Sequence, residues 1–197
     1  MLFRSRLLCD LLPREPEAFG LLALMAFHAA RAKSRVDDEG RPILLAAQDR
    51  SQWNKELLRE GLMARMRARS LGGGGAYVLE AEIAALHATA PTWESTPWTR
   101  IVAAYDALDA VAPSPIVKMN RAIALSMAEG PGPGLEALEE IANDLGGYHL
   151  FHATRADLLA RAGKDPRPVL ERAYALATND AERRLLRERL ARLGPHH

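Results

Sequence analysis

The chain has 197 residues with 26 basic and 25 acidic side chains, a formal charge of +1, so it carries no global electrostatic footprint of a nucleic-acid binder or a membrane-adhering protein. Its longest apolar runs, such as "GLLALMAF", fall far short of the roughly 20 residues that cross a bilayer, and the opening "MLFRSRLLCDLL" has arginines where a secretory signal needs an apolar core. The expectation is a globular cytoplasmic protein, and the lone Cys9, set among Leu7, Leu8, Leu11 and Leu12, is expected to be a buried, inert thiol.

In chain order, apolar residues recur at helical spacing over 2–12, 16–33, 50–71, 76–90, 97–112, 115–129, 133–144, 148–162, 166–177 and 180–193, with Gly, Pro or Asn-Asp punctuation between the segments. Strand signals are nearly absent, and only 34–49 is a long irregular connection. In "LLAAQDRSQWNKELLREGL", Asp49 and Gln52 have the form of a capping box, which would start a helix there. Trp53 then opens a stripe continued by Leu57, Met63 and Met66, a core position. Arg50 falls on the first turn of that helix, where its charge opposes the helix dipole; it is expected to pair with an acid from the 37–39 loop or a neighbouring helix. The four glycines at 72–75 lack the Lys-Ser/Thr and the strand of a phosphate loop and read as a helix cap and joint.

Trp98, Ile101, Val102, Tyr105 and Leu108 form one helical stripe with the spacing of the opening of a tetratricopeptide repeat, valine replacing the usual glycine. A weaker echo follows: Leu158-Leu159 and Gly163 close one helix, Leu170, Ala173 and Tyr174 line the next, and Asn179-Asp180 start a third. The last helix carries Arg183, Arg184, Arg187, Arg189 and Arg192 and is expected to dock through Leu185, Leu186, Leu190 and Leu193, as a terminal cap does. The predicted fold is all-α, antiparallel helical hairpins stacked as a tetratricopeptide-like α-solenoid. It forms one helical domain over 1–193, with an irregular first half over about 1–91, repeats over about 97–193, and a tail at 194–197 that reads as the remnant of an affinity tag.

No motif for chemistry stands out. His149 and His152 lie three apart, yet no further zinc ligands accompany them, and no G-x-S-x-G elbow or cysteine–histidine pattern is present. His28 and His87 read as contact residues between helices. No catalytic residue, metal site or cofactor is expected, and the chain is expected not to be an enzyme; the alternatives are a stand-alone helical-repeat scaffold or an enzyme with a pocket around His149, His152 and Asp157.

Several stretches together resemble one family. They are "EPEAFGLLALMAFHAAR" (15–31), "LLAAQDRSQWNKELLREGL" (44–62), "YVLEAEIAALHATAP" (77–91), "SPIVKMNRAIALSMAEGPGPGLEAL" (114–138), "YHLFHATRADLLARAG" (148–163) and "NDAERRLLRERLARL" (179–193). In this order they are similar to the C-terminal, tetratricopeptide-like extension of bacterial extracytoplasmic-function RNA polymerase sigma factors. The chain departs from the family at Gly75-Ala76-Tyr77, where Gly-Pro-Tyr is typical, and at Glu80 and Glu82, where glutamine and alanine are usual. The resemblance implies a regulatory protein-interaction module in transcription initiation. Its implied partners are the sigma domains of the parent, core RNA polymerase or a signalling protein; the promoter-binding segments would lie upstream, and this part is not expected to bind DNA itself. The expected contact surface is a groove of Trp98, Tyr105, Asn120, Arg121, His152 and Arg155, with Arg50 a further contact residue. The competing view is that Asn120 and Arg155 simply satisfy hydrogen bonds between helices.

Overall fold

The computed structural model describes residues 2–194. The 194–197 tail therefore lies outside the described residues apart from Gly194. The described residues form eleven α-helices and no strand, only an isolated antiparallel bridge between Val36 and Pro42. None of these helices is long and apolar enough to cross a membrane. The fold is all-α, its helices packed in neighbouring pairs as in a helical-repeat solenoid, and it divides into two compact units, 1–112 and 113–197.

The first unit holds α1 (Leu2–Leu11), α2 (Pro16–Ala30), α3 (Lys55–Ser70), α4 (Ala76–Thr89) and α5 (Trp98–Val111). At its centre is α2, which packs against α1, α3 and α4 and is accordingly apolar almost all round, burying Leu22, Ala23, Leu24, Ala26 and Phe27. Small residues set the spacing. A Cβ on Gly20 would come within 2.6 Å of the Val78 backbone nitrogen, so α2 and α4 touch at backbone level there. Cys9 is buried on the inner face of α1, as expected, its thiol donating to the Ala18 carbonyl at 3.3 Å, and burial pushes its pKa up.

The helix read as starting near residue 50 starts five residues later. Asp49 accepts from the Ser51 N–H at 2.9 Å and caps only a one-turn 3₁₀ segment, Arg50–Gln52. The cap of α3 is Asn54, whose side chain accepts from the Glu56 and Leu57 N–H groups at 3.0 Å each. Trp53 is buried as expected, but Met63 and Met66 are exposed: the buried face of α3 runs through Gly61, Ala64 and Ala68, and neither methionine falls on that spacing. At the other end Gly72 adopts a φ of 78° and the Gly73 N–H donates to the Ala68 carbonyl at 3.1 Å, the glycine cap anticipated for this joint.

Gly75 offers α4 no side-chain cap. Glu17 of α2 supplies one from a distance, accepting from the Tyr77 N–H at 2.9 Å and the Val78 N–H at 3.3 Å. Gly75 makes room for it, since a Cβ there would lie 2.5 Å from the Glu17 carboxyl carbon. Midway along α4, Glu82 gathers Arg65, Arg69 (3.3 Å) and Arg100 (3.6 Å), joining α3, α4 and α5 through one carboxylate.

The second unit holds α6 (Pro115–Ala128), α7 (Pro131–Glu139), the one-turn α8 (Ala142–Leu145), α9 (His149–Arg161), α10 (Arg167–Leu176) and α11 (Asp180–Arg192). Successive pairs α6/α7 and α9/α10 pack as hairpins, α7 bridges to α9, and α11 lies on α10. Gly134 plays the part of Gly20 here: a Cβ would meet Ser126 Cβ at 2.6 Å and the Ala122 carbonyl oxygen at 2.9 Å. Arg161 fastens α9 to α6, donating to Ser126 Oγ at 3.0 Å and to the Ser126 carbonyl at 2.8 Å. Asn179 caps α11 as the sequence suggests, accepting from the Ala181 N–H at 2.8 Å. Of the four leucines expected to dock α11, only Leu186 is fully buried and Leu190 half-buried; Leu185 and Leu193 face solvent.

Alanine at Gly20 or Gly134 should push two backbones apart and cost about 1–3 kcal/mol, whereas alanine at Gly74, which has open space around it, should stay within about 0.5 kcal/mol. Urea unfolding of the three variants checks this; equal effects at all three positions would contradict the close-approach account.

Candidate functional site

After α2 the chain spends 31–54 without an α-helix, yet it is closely tied down. Asp37 closes a small loop by accepting from the Arg41 N–H (2.8 Å) and Arg41 Nε (2.6 Å). Gln48 is buried, its amide nitrogen donating to the Ile43 carbonyl at 2.9 Å and its amide oxygen accepting from Arg31 Nε at 3.2 Å. The Asn54 N–H donates to the Ala30 carbonyl at 3.0 Å and returns the segment to the end of α2.

Arg50 projects from this segment to the end of α4. Its Nη1 donates to the His87 carbonyl at 2.5 Å and the Ala90 carbonyl at 2.7 Å. Among the described residues no acid from the 37–39 loop or a neighbouring helix forms an ion pair with Arg50. Residue 50 stands ahead of α3 rather than on its first turn, so its charge meets the negative end of α4, where carbonyls lack helical partners. The acid that bears on Arg50 is Glu94, acting electrostatically from the α4–α5 connection; burial outweighs it and lowers the arginine's pKa.

Aromatic rings gather round this contact. The guanidinium carbons of Arg50 and Arg31 lie 5.0 and 5.6 Å from the Trp53 ring centroid. His87 stacks on Trp93 at 6.3 Å and meets the edge of Trp98 at 5.2 Å, while Trp93 and Trp98 cross at 4.6 Å. Burial, reinforced by Arg31 and Arg50, lowers the His87 pKa to about 4, so the ring is neutral at pH 7. Arg50 Nη2, Trp53 Nε1 and His87 Nδ1 are buried without a hydrogen-bond partner. Beside Arg50 the 46–51 and 91–94 segments enclose an open cleft of about 420 Å³, walled by Gln48, Asp49, Ser51, Thr92, Trp93 and Glu94 among others.

The residues expected to form a contact groove fall in both units. In the first, Trp98 belongs to the aromatic cluster, while Tyr105, one to two turns further along α5, is half-buried with its pKa pushed up to about 12 by burial and by Glu80. In the second, Arg155 donates to Glu139 at 2.5 Å and His152 Nε2 lies 2.9 Å from the Gly146 carbonyl oxygen, contacts that hold α9 against the end of α7 and the turn after α8. Asn120 and Arg121 are half-buried on α6. His149 approaches Glu182 at 3.1 Å and Asp157 pairs with Arg189, so these two members of the alternative pocket, like His152, engage neighbouring structural groups. Among the described residues no three His, Cys, Asp or Glu side chains gather as a metal site would require. Sequence reasoning missed Arg31 and Trp93; the density of aromatic and turn residues in "PTWESTPW" is the signal that could have found Trp93.

A second feature is on α1. Ser5 and Cys9 face the core, and on the opposite side Phe3, Leu7 and Leu11, one turn apart each, are 74%, 47% and 68% exposed. Arg6 holds this helix to α3 through a two-pronged pair with Glu60 at 2.6 and 2.7 Å, and α3 itself exposes Met63 and Met66 beyond that pair. The result is a helix that is apolar on both faces with only one of them covered.

Removing the Arg50 side chain should cost about 1–3 kcal/mol, because two carbonyls at the end of α4 lose a charged donor; lysine should recover part of this, and glutamate should cost more than alanine. Chemical denaturation of the three variants measures it. The depressed pKa of His87 gives stability that is complete above about pH 6.5 and is lost as pH falls toward 4, where the unfolded chain takes up a proton that the native state refuses. The loss is on the order of 3 kcal/mol at most, and a His87→Gln variant should show a correspondingly flatter stability profile over that range.

Comparison with known proteins places residues 2–74, covering α1 to the glycine joint, in similarity to a family of unknown function (DUF6596). Over 191 residues the chain is 41% identical to an uncharacterized protein of Rhizobium meliloti (strain 1021), a match that covers 96% of this chain and 45% of that protein. The chain thus spans less than half the length of this relative. No solved structure matches.

Proposed function

We propose that the chain is a regulatory protein-interaction module of an extracytoplasmic-function sigma factor, and that its α1 face seats on the sigma domains of the same longer protein. The observation that carries this reading is the uncovered apolar stripe of Phe3, Leu7 and Leu11. Soluble monomers seldom leave such aligned side chains in water, and covering each contributes about 1.5–3 kcal/mol. Two further points support it. The matched region is 45% of the Rhizobium meliloti protein, so in that relative the helical module is joined to a larger remainder that can supply the covering surface. The net charge of +1 gives no reason for the module to seek promoter DNA by itself.

The test offers the immobilised chain two partners: the part of the Rhizobium meliloti protein outside the matched region, and core RNA polymerase. Retention of the first is expected, together with loss of most of it on Leu7→Glu while the melting temperature, set by the opposite face of α1, stays unchanged. Retention of neither partner would sink the reading, and retention of polymerase alone would overturn the choice of partner. A helical scaffold without a role in transcription would instead retain neither and remain sensitive to Leu7→Glu only in its own self-association.

A further inference from the structure

We infer that the partner seated on α1 is an amphipathic helix with acidic flanks, lying along the groove between α1 and α3. The inference rests on the proposed seating of α1 and names the partner chemistry that fits it. Two ties fix how α1 and α3 sit. Arg6 Nε donates to Glu60 at 2.6 Å and Arg67 Nη2 donates to the Pro13 carbonyl at 3.3 Å, and each tie joins residues 54 positions apart. The two helices therefore lie side by side and run in the same direction, with Leu7 level with Gly61 and Leu11 level with Arg65.

That register merges two exposed stripes into one surface. Met63 stands between the levels of Leu7 and Leu11, and Met66 stands at the level of Leu12; all five side chains are exposed, as is Phe3. Phe3, Leu7 and Leu11 form a row of four-residue spacing, the kind of ridge that interdigitates with a facing helix. Methionine, unbranched and polarizable, adapts to such a ridge.

Charge selects among the helices that could lie there. Arg4 precedes Leu7 and Leu11 by one and two turns on α1, and Arg59 precedes Met63 and Met66 in the same way on α3. In the shared register these two arginines stand at nearly one level on either side of the groove, with Lys55 one turn before Arg59. All three cations are exposed, and among the described residues none has an ion-pair partner, whereas Arg6 is neutralised by Glu60. The exposed acids of this face, Asp10 and Glu56, lie by helical position toward the seam between α1 and α3, so cations form the rims. A helix whose apolar face enters the groove carries its flanking residues over those rims, where glutamate or aspartate is matched and lysine or arginine is repelled. Asp10 and Glu56 also disfavour an anionic membrane in the same place.

The experiment titrates the full chain against two labelled synthetic peptides of about five helical turns and follows fluorescence anisotropy. Both carry the same leucine stripe; one is flanked throughout by glutamate, the other by lysine. Saturable binding of the glutamate peptide alone is expected, together with displacement by it of the Rhizobium meliloti remainder from the immobilised chain. Arg59→Glu and Met63→Glu should each weaken the glutamate peptide by about tenfold or more. Both side chains are exposed, so the circular dichroism of the variants should match that of the parent chain. Binding of the glutamate peptide without any retention of the remainder would uphold the groove and overturn the choice of partner in the proposed function. Equal binding of both peptides, affinity unchanged in both variants, or a retained remainder that the peptide does not displace would overturn the inference. So would capture of the chain by phosphatidylglycerol vesicles in preference to the peptide, or self-association of the chain that blocks the peptide.

Discussion

Helix α4 has no cap of its own at either end. Gly75 has no side chain to offer its first N–H groups, and Ala90 none for its last carbonyls. Both ends are closed by charges brought from elsewhere: Glu17 of α2 at the positive end and Arg50 of the 31–54 segment at the negative end. Each charge has the sign that the helix dipole favours. Much of the first unit follows from this requirement. Glu17 can reach α4 because Gly20 lets the two helices meet at backbone level and Gly75 leaves room for the carboxylate. Arg50 can reach it because the long connection is stitched down by Gln48, Asp49 and Asn54 instead of running free.

The same requirement places the cleft. An arginine spent on two carbonyls brings the 46–51 segment against 91–94, and the space between them is bordered by a guanidinium that is only partly satisfied. Trp53 beneath Arg50 and the stacked pair of His87 and Trp93 beside it are consequences of burying that charge: flat, polarizable rings are suitable neighbours for a guanidinium removed from water. Because His87 stays neutral there, the cluster avoids adding another positive charge beside Arg31 and Arg50.

Helical periodicity made most of the fold legible. The helices around Trp98–Leu108, Leu158–Gly163 and Asn179–Asp180 came from local patterns that tertiary packing had no reason to override. What the sequence could not show was where a cap acts. Asp49 and Gln52 look like a helix start, but Asn54 does the capping, and this displacement reverses the meaning of Arg50, which then serves the end of another helix 37 residues away. Met63 and Met66, read as core, are on the surface because the buried face of α3 runs through Gly61, Ala64 and Ala68. Of the candidate site, Arg50 and Trp98 were visible as residues, but their convergence with His87 and Trp93 is a long-range fact with no local signature. The groove residues Arg155 and His152 prove to make contacts that hold α9 in place, a role which the charge and spacing of a single sequence cannot distinguish from partner binding.

The stripe on α1 is an apolar face of the first unit left uncovered, and the proposed role as an interaction module rests on it. Hydrogen exchange tests this most directly, comparing the chain alone with the chain mixed with the remainder of the Rhizobium meliloti protein. New protection confined to α1 and the adjoining part of α3 is the expected result; unchanged exchange in α1, or protection that appears only elsewhere, would contradict it.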